Sequence, residues 1–198
     1  MNDIIELIEN EDSLGVLLFL EKTRNLIGSL PSLDGYSVLE YLVLENKIHI
    51  ATLVASKYQA LINPEDKRTP PLHLALQLGN SRAVDMLLSA GANPNVTNVD
   101  GDTALHVAVT WNRSQHIGAL LRMGAKVNTP NKRLWTPLHM AARYDHSQNA
   151  EILIEHNADV TLQNDKDHTA LDIAYMYGCG PIATLLINHG AQMGVRNV

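Results

Sequence analysis

Apolar residues return along this chain at a fixed interval of 33 positions. Leucine stands at 39, 72, 105, 138 and 171, alanine at 75, 108, 141 and 174, and an apolar residue at 20, 53, 86, 119, 152 and 185. Within one interval Leu138, Ala141 and Ala142 have the i, i+3, i+4 spacing of a short helix with one apolar stripe, and the alanines allow a neighbouring helix to approach closely. A second helix follows in each interval. Its apolar face is Ala83, Val84, Leu87 and Leu88, then Ile117, Leu120 and Leu121, then Ile182, Ala183, Leu186 and Ile187. Thr103, Thr136 and Thr169 precede the first helices, where a hydroxyl can cap free N–H groups, and Pro137 falls at a first-turn position that needs no N–H. Ser37 with Glu40, and Thr169 with Asp172, have the spacing of a reciprocal capping box. Gly91, Gly124 and Gly190 stand where the second helices end in a left-handed residue, and Asn157 holds the same place in another interval.

Superposed at this interval, Ser37-Val38-Leu39-Glu40, Pro70-Pro71-Leu72-His73, Thr103-Ala104-Leu105-His106, Thr136-Pro137-Leu138-His139 and Thr169-Ala170-Leu171-Asp172 align without a gap. The sequence thereby resembles the ankyrin-repeat family. Its T-P-L-H-x-A signature is met by Thr136-Pro137-Leu138-His139-Met140-Ala141 and nearly by Thr103-Ala104-Leu105-His106-Val107-Ala108. The resemblance implies an all-α solenoid of stacked helix-turn-helix units with short β-hairpin or loop fingers. One domain would span 1–198, with an N-terminal capping unit at 1–31, repeats at 32–64, 65–97, 98–130 and 131–163, and a C-terminal capping repeat at 164–198. In the first unit Ile4, Ile5, Leu7 and Ile8 are slipped by about one residue, as a cap allows. In the second, Tyr58 replaces the helix-ending glycine and Asn63-Pro64-Glu65-Asp66 forms a longer turn.

The chain has 198 residues and a net charge of −6, but the thirds 1–66, 67–132 and 133–198 carry −7, +4 and −3. Without a Lys/Arg run, direct nucleic-acid or membrane-surface binding is not expected, since both rest on pairing many phosphates. The one cysteine, Cys179, makes no intramolecular disulfide and fits a reducing compartment: cytoplasm, nucleus, or a host cytosol if the chain is a viral or bacterial effector. His73, His106 and His139 take the signature position, where the resemblance implies hydrogen bonding within and between repeats. His49, His116, His146, His156, His168 and His189 are scattered without ligand spacing. Gly178-Cys179-Gly180 and Asp145-His146-Ser147 read as inter-helix loops, and no nucleophile elbow, phosphate loop or dinucleotide fingerprint occurs. No catalysis, metal or cofactor is expected.

In the ankyrin fold, finger tips and the exposed ends of first helices line a concave groove. The corresponding positions here are Val99, Asp100, Asp102, Thr110 and Trp111, then Lys132, Arg133, Trp135, Arg143 and Tyr144, then Asp165, Lys166, His168, Met176 and Tyr177. Both tryptophans fall in this set, and Trp, Tyr and Arg dominate binding energy at interfaces. Trp111, Lys132, Arg133, Trp135, Arg143, Tyr144, Tyr177, Asp102 and Met176 are therefore the candidate partner-binding residues. The alternative is that Trp111 and Trp135 stack on each other or on Arg143 and only stiffen the groove. The earlier positions Leu33, Asp34, Tyr36, Leu44 and Glu45, then Asp66, Lys67, Thr69, Gln77 and Leu78, are blander.

The expected function is that of a non-catalytic protein, monomeric when free, that binds another protein as an adaptor or inhibitor. The resemblance leaves two further readings open: an IκB-like inhibitor of an NF-κB/Rel transcription factor, or the interaction domain of a larger effector, ligase or channel protein.

Overall fold

A computed structural model describes residues 2–23, 36–64 and 69–194. The groove positions Leu33, Asp34, Asp66 and Lys67, and the Glu65-Asp66 part of the expected long turn, lie outside the described residues. The described chain is all-α. Its helices are α1 (Asn2–Glu9), α2 (Ser13–Lys22), α3 (Val38–Leu44), α4 (Ile48–Lys57), α5 (Pro71–Leu78), α6 (Ser81–Ser89), α7 (Ala104–Thr110), α8 (Ser114–Arg122), α9 (Pro137–Tyr144), α10 (Ser147–Glu155), α11 (Ala170–Tyr177) and α12 (Gly180–Asn188). The chain divides into two compact units, Met1–Asn93 and Pro94–Val198.

In the second unit α7, α9 and α11 form one row and α8, α10 and α12 the other, each first helix packing on its own second helix and on its neighbours in the row. The period sets this arrangement. Leu105, Ala108, Leu138, Ala141, Leu171 and Ala174 are all buried between successive first helices. In the second row Leu120, Leu153 and Leu186 are fully buried, each worth about 1.5–3 kcal/mol of apolar transfer. The residues one place earlier, Ala119, Ile152 and Leu185, are only half-buried and mark the edge of that face. Ile187, placed in the apolar face by its spacing, is exposed because α12 is the last helix of its row.

The first unit is built likewise from α3 with α5 and α4 with α6, while α1 pairs with α2 and α2 lies on α4. Val16 and Leu20 of α2 are fully buried, whereas Ile50 and Val54 serve that purpose in α4. The offset is 34 positions instead of 33, so Leu20 corresponds to Val54 and not to the half-buried Leu53 that the 33-residue column paired with it; the slip read for Ile4, Ile5, Leu7 and Ile8 extends into α2. With no glycine available, α4 ends at Tyr58 (φ −123°) and turns through a 3-10 segment at Gln59–Leu61.

Among the described residues the fingers contain no strand, and Gln163 and Thr169 form an isolated antiparallel bridge. Asn98, Asn131 and Asn164 explain why the expected hairpins are loops. Each side-chain oxygen accepts from the backbone N–H groups two and four residues on, at 2.9–3.1 Å. The amide thereby takes up donors that would otherwise pair in a ladder. Each turn includes one left-handed residue, Gly101 (φ 80°), Leu134 (φ 57°) or Asp167 (φ 58°).

Candidate functional site

The signature histidines join successive fingers. In α7, His106 Nδ1 accepts from the Thr103 N–H (3.1 Å), so its proton resides on Nε2, which donates to the Trp135 carbonyl at 2.9 Å. In α9, His139 accepts from the Thr136 N–H (3.2 Å) and donates to the His168 carbonyl at 3.0 Å. Burial pushes both imidazoles below their ordinary pKa, against the opposing pull of these carbonyls and, for His106, of Asp102. Neutral rings thus fix the fingers that carry Trp135 and His168. In α11 the ladder stops. Asp172 accepts from the Thr169 N–H and the Gly194 N–H, both at 2.8 Å. Its burial raises the carboxyl pKa, but these bonds outweigh that effect and hold it below the usual range.

A second ladder runs along the fingers. The Lys132 N–H donates to the Asp100 carbonyl at 3.1 Å and the Asp165 N–H to the Arg133 carbonyl at 3.0 Å. Asn95 and Asn128 clasp the following repeat with both ends of their amides. Asn95 donates to the Gly124 carbonyl (2.9 Å) and accepts from the Lys126 N–H (2.9 Å); Asn128 donates to the Asn157 carbonyl (3.1 Å) and accepts from the Asp159 N–H (2.8 Å).

On this framework the second unit carries a depression of about 340 Å³, lined by Asp100, Asp102, Asn131, Lys132, Arg133, Trp135, Met140 and Arg143. Arg143, half-buried in the last turn of α9, lies 5.6 Å from the ring centroids of Trp135, Tyr144 and Tyr177 alike. Trp135 also rests against the His139 ring, centroids 5.9 Å apart. Asn131 Nδ2 donates to Asp102 at 2.7 Å, and Lys132 Nζ donates to the Val99 carbonyl. Tyr177 and Met176, at the end of α11, are 52% and 58% exposed.

The candidates fall into groups. Trp135, Arg143, Tyr144 and Tyr177 form one cluster, and Asp102, Lys132 and Arg133 join Trp135 and Arg143 around the depression. Trp111, the residue that ends α7, is 47% exposed but is not part of that lining. Among the described residues no ring contact joins it to Trp135. The structure therefore places Trp135 on Arg143, one of the two stackings considered, and does not bring the two tryptophans onto each other.

The site also includes residues the sequence reading did not single out. Asn131 shapes the finger and Met140 lines the floor; the 33-residue column of Asn98, Asn131 and Asn164 was the available signal. Outside that lining, Tyr175 is 53% exposed, whereas Ala142 and Val109, 33 and 66 positions earlier, are fully buried. An aromatic residue where the other repeats hold small or aliphatic ones marked that departure.

Among the described residues no three His, Cys, Asp or Glu side chains lie grouped to hold a metal ion, and no helix is long and apolar enough to cross a membrane. His146 Nδ1 faces the Val109 carbonyl at 2.8 Å, while His156 and His189 each bond a carbonyl of their own helix. Cys179 is buried in the loop before α12, and its desolvation, with Asp145 nearby, pushes the thiol pKa up. That environment disfavours the reactive thiolate.

A family model of ankyrin repeats in three copies matches residues 36–131 and 120–197. With the paired helices, finger loops and histidine ladder in place, the chain belongs to the ankyrin-repeat family. Ankyrin repeats generally mediate protein–protein interaction and are typically non-enzymatic. No match was found among curated proteins.

Proposed function

We propose that this protein is a non-catalytic binder of another protein, acting as an adaptor or inhibitor by covering a partner surface with the finger-side face of its second unit. The observation that carries this reading is the Trp135, Tyr144 and Tyr177 cluster around Arg143, with Met176 and Trp111 exposed at the ends of α11 and α7. Aromatic side chains gain from leaving water, and aromatic and arginine side chains are the residues that anchor interfaces. The histidine and finger ladders hold the backbone that presents them, which lowers the ordering entropy of association. The same face would serve a chain working alone or within a larger protein.

The test is affinity purification with mass spectrometry, followed by calorimetric titration of the recovered partner. Trp111→Ala and Tyr177→Ala should each weaken binding by about 2 kcal/mol without lowering the unfolding temperature. Trp135→Ala should weaken binding and also cost some stability, because the ring packs on His139 and Arg143. If all three bind as the parent does while Glu151→Ala, exposed on α10, abolishes binding, the finger-side face is not the site.

A further inference from the structure

We infer that Arg143 is a receptor for one carboxylate, and that the partner docks through an acidic side chain flanked by apolar residues. This rests on the finger-side face being the binding face. Three rings at 5.6 Å hold the guanidinium in place. Rings interact with the ion through their faces and leave its N–H donors unused. Among the described residues Arg143 makes no hydrogen bond and no ion pair; the salt bridges there are Lys47–Glu11 and Lys57–Glu21. A guanidinium at the centre of a binding face loses its water when a partner docks. Unless the partner brings an acceptor, that desolvation is strongly unfavourable. A carboxylate matches the planar N–H fork with two parallel bonds.

Charge selects the anion. The depression beside Arg143 is lined by Lys132, Arg133 and Arg143 against Asp100 and Asp102, three positive groups and two negative, a net +1. One carboxylate neutralises it. A phosphate dianion would leave an excess negative charge facing two fixed aspartates, so a phosphorylated side chain is the weaker ligand. Around the anchor, Tyr177, Met176 and Tyr144 offer apolar area for the flanking residues.

The probe is a displayed library of random 12-residue peptides selected on the full chain, with the enriched sequence synthesised and its affinity read by fluorescence anisotropy. Enriched peptides should carry one Asp or Glu between apolar residues. Arg143→Gln should weaken binding at least tenfold, replacing the peptide's acid by its amide should do the same, and the two changes together should be no worse than either. Arg143→Lys, which keeps the charge and loses the fork, should recover less than half of the loss on a logarithmic scale. It also provides the second variant should Arg143→Gln fold poorly. Phosphoserine in place of the acid should bind more weakly.

Enriched peptides without an acid, or binding that Arg143→Gln changes less than twofold while Tyr177→Ala reduces it tenfold, would overturn the carboxylate anchor and leave the binding face standing. Tighter binding of the phosphoserine peptide would overturn the single-charge assignment. No enrichment, or binding indifferent to Arg143, Tyr177 and Trp111 alike, would overturn both the anchor and the face.

Discussion

Acid should unfold the second unit through its two signature histidines, and the size of the effect follows from their geometry. His106 and His139 each use Nδ1 as an acceptor for a threonine N–H, and each ring is buried. Protonation would set two donors against each other in a site shielded from water. In the unfolded chain a histidine titrates near about 6.5. In the folded chain both values are lower, so between the two the unfolded state binds more protons and stability falls as pH falls. The stabilisation is fully present above about pH 6.5 and is lost below it. Each histidine contributes at most about 1.4 kcal/mol per pH unit, so the pair gives at most about 2.7. Asp172 has the same sign but acts only in the carboxylate range, below about pH 4. Urea denaturation followed by circular dichroism from pH 8 to 5 would measure the slope. The control is His106→Gln combined with His139→Gln, since glutamine can accept from the threonine N–H at this capping position without titrating. The parent should lose stability more steeply than the double variant below pH 6.5. Parallel slopes would refute the reasoning, because the proton uptake would then come from elsewhere.

Four further outcomes follow from the fingers, the ladders and the core. Gly101→Ala should cost about 1–3 kcal/mol in the same denaturation assay, since the position is left-handed and a Cβ would meet the Lys132 nitrogen at 2.9 Å. Leu134→Gly should be neutral or stabilising by up to about 1 kcal/mol, because that exposed leucine is held at φ 57°. Asn128→Ala, which removes the clasp on Asn157 and Asp159, should cost about 1–2 kcal/mol and speed amide exchange at Asp159. Leu138→Ala, in the buried face of α9, should cost about 2–5 kcal/mol; a variant as stable as the parent would contradict the assigned packing.

The helix starts, the left-handed helix ends and the buried faces were legible in the sequence because each depends on residues three or four apart or on a repeat of fixed length. Thr136, Pro137 and His139 mark a helix start whatever surrounds them, and Gly124 and Asn157 mark ends for the same local reason. The fingers were less legible. Asn98, Asn131 and Asn164 recur at the period, but only the backbone path shows their amides taking up the N–H groups that a hairpin ladder would use.

The candidate site divides along the same line. That Trp111, Trp135, Arg143 and Tyr177 occupy freely variable positions was implied by the resemblance to the ankyrin-repeat family, in which stacking does not dictate those side chains. That Arg143 gathers rings from its own helix, a finger and the next first helix while Trp111 stands outside that lining depended on distances between repeats. A sequence of stacked units determines which residues must be buried, because burial repeats with the period. Which exposed residues meet is decided only when the units are stacked, because those contacts join side chains far apart along the chain.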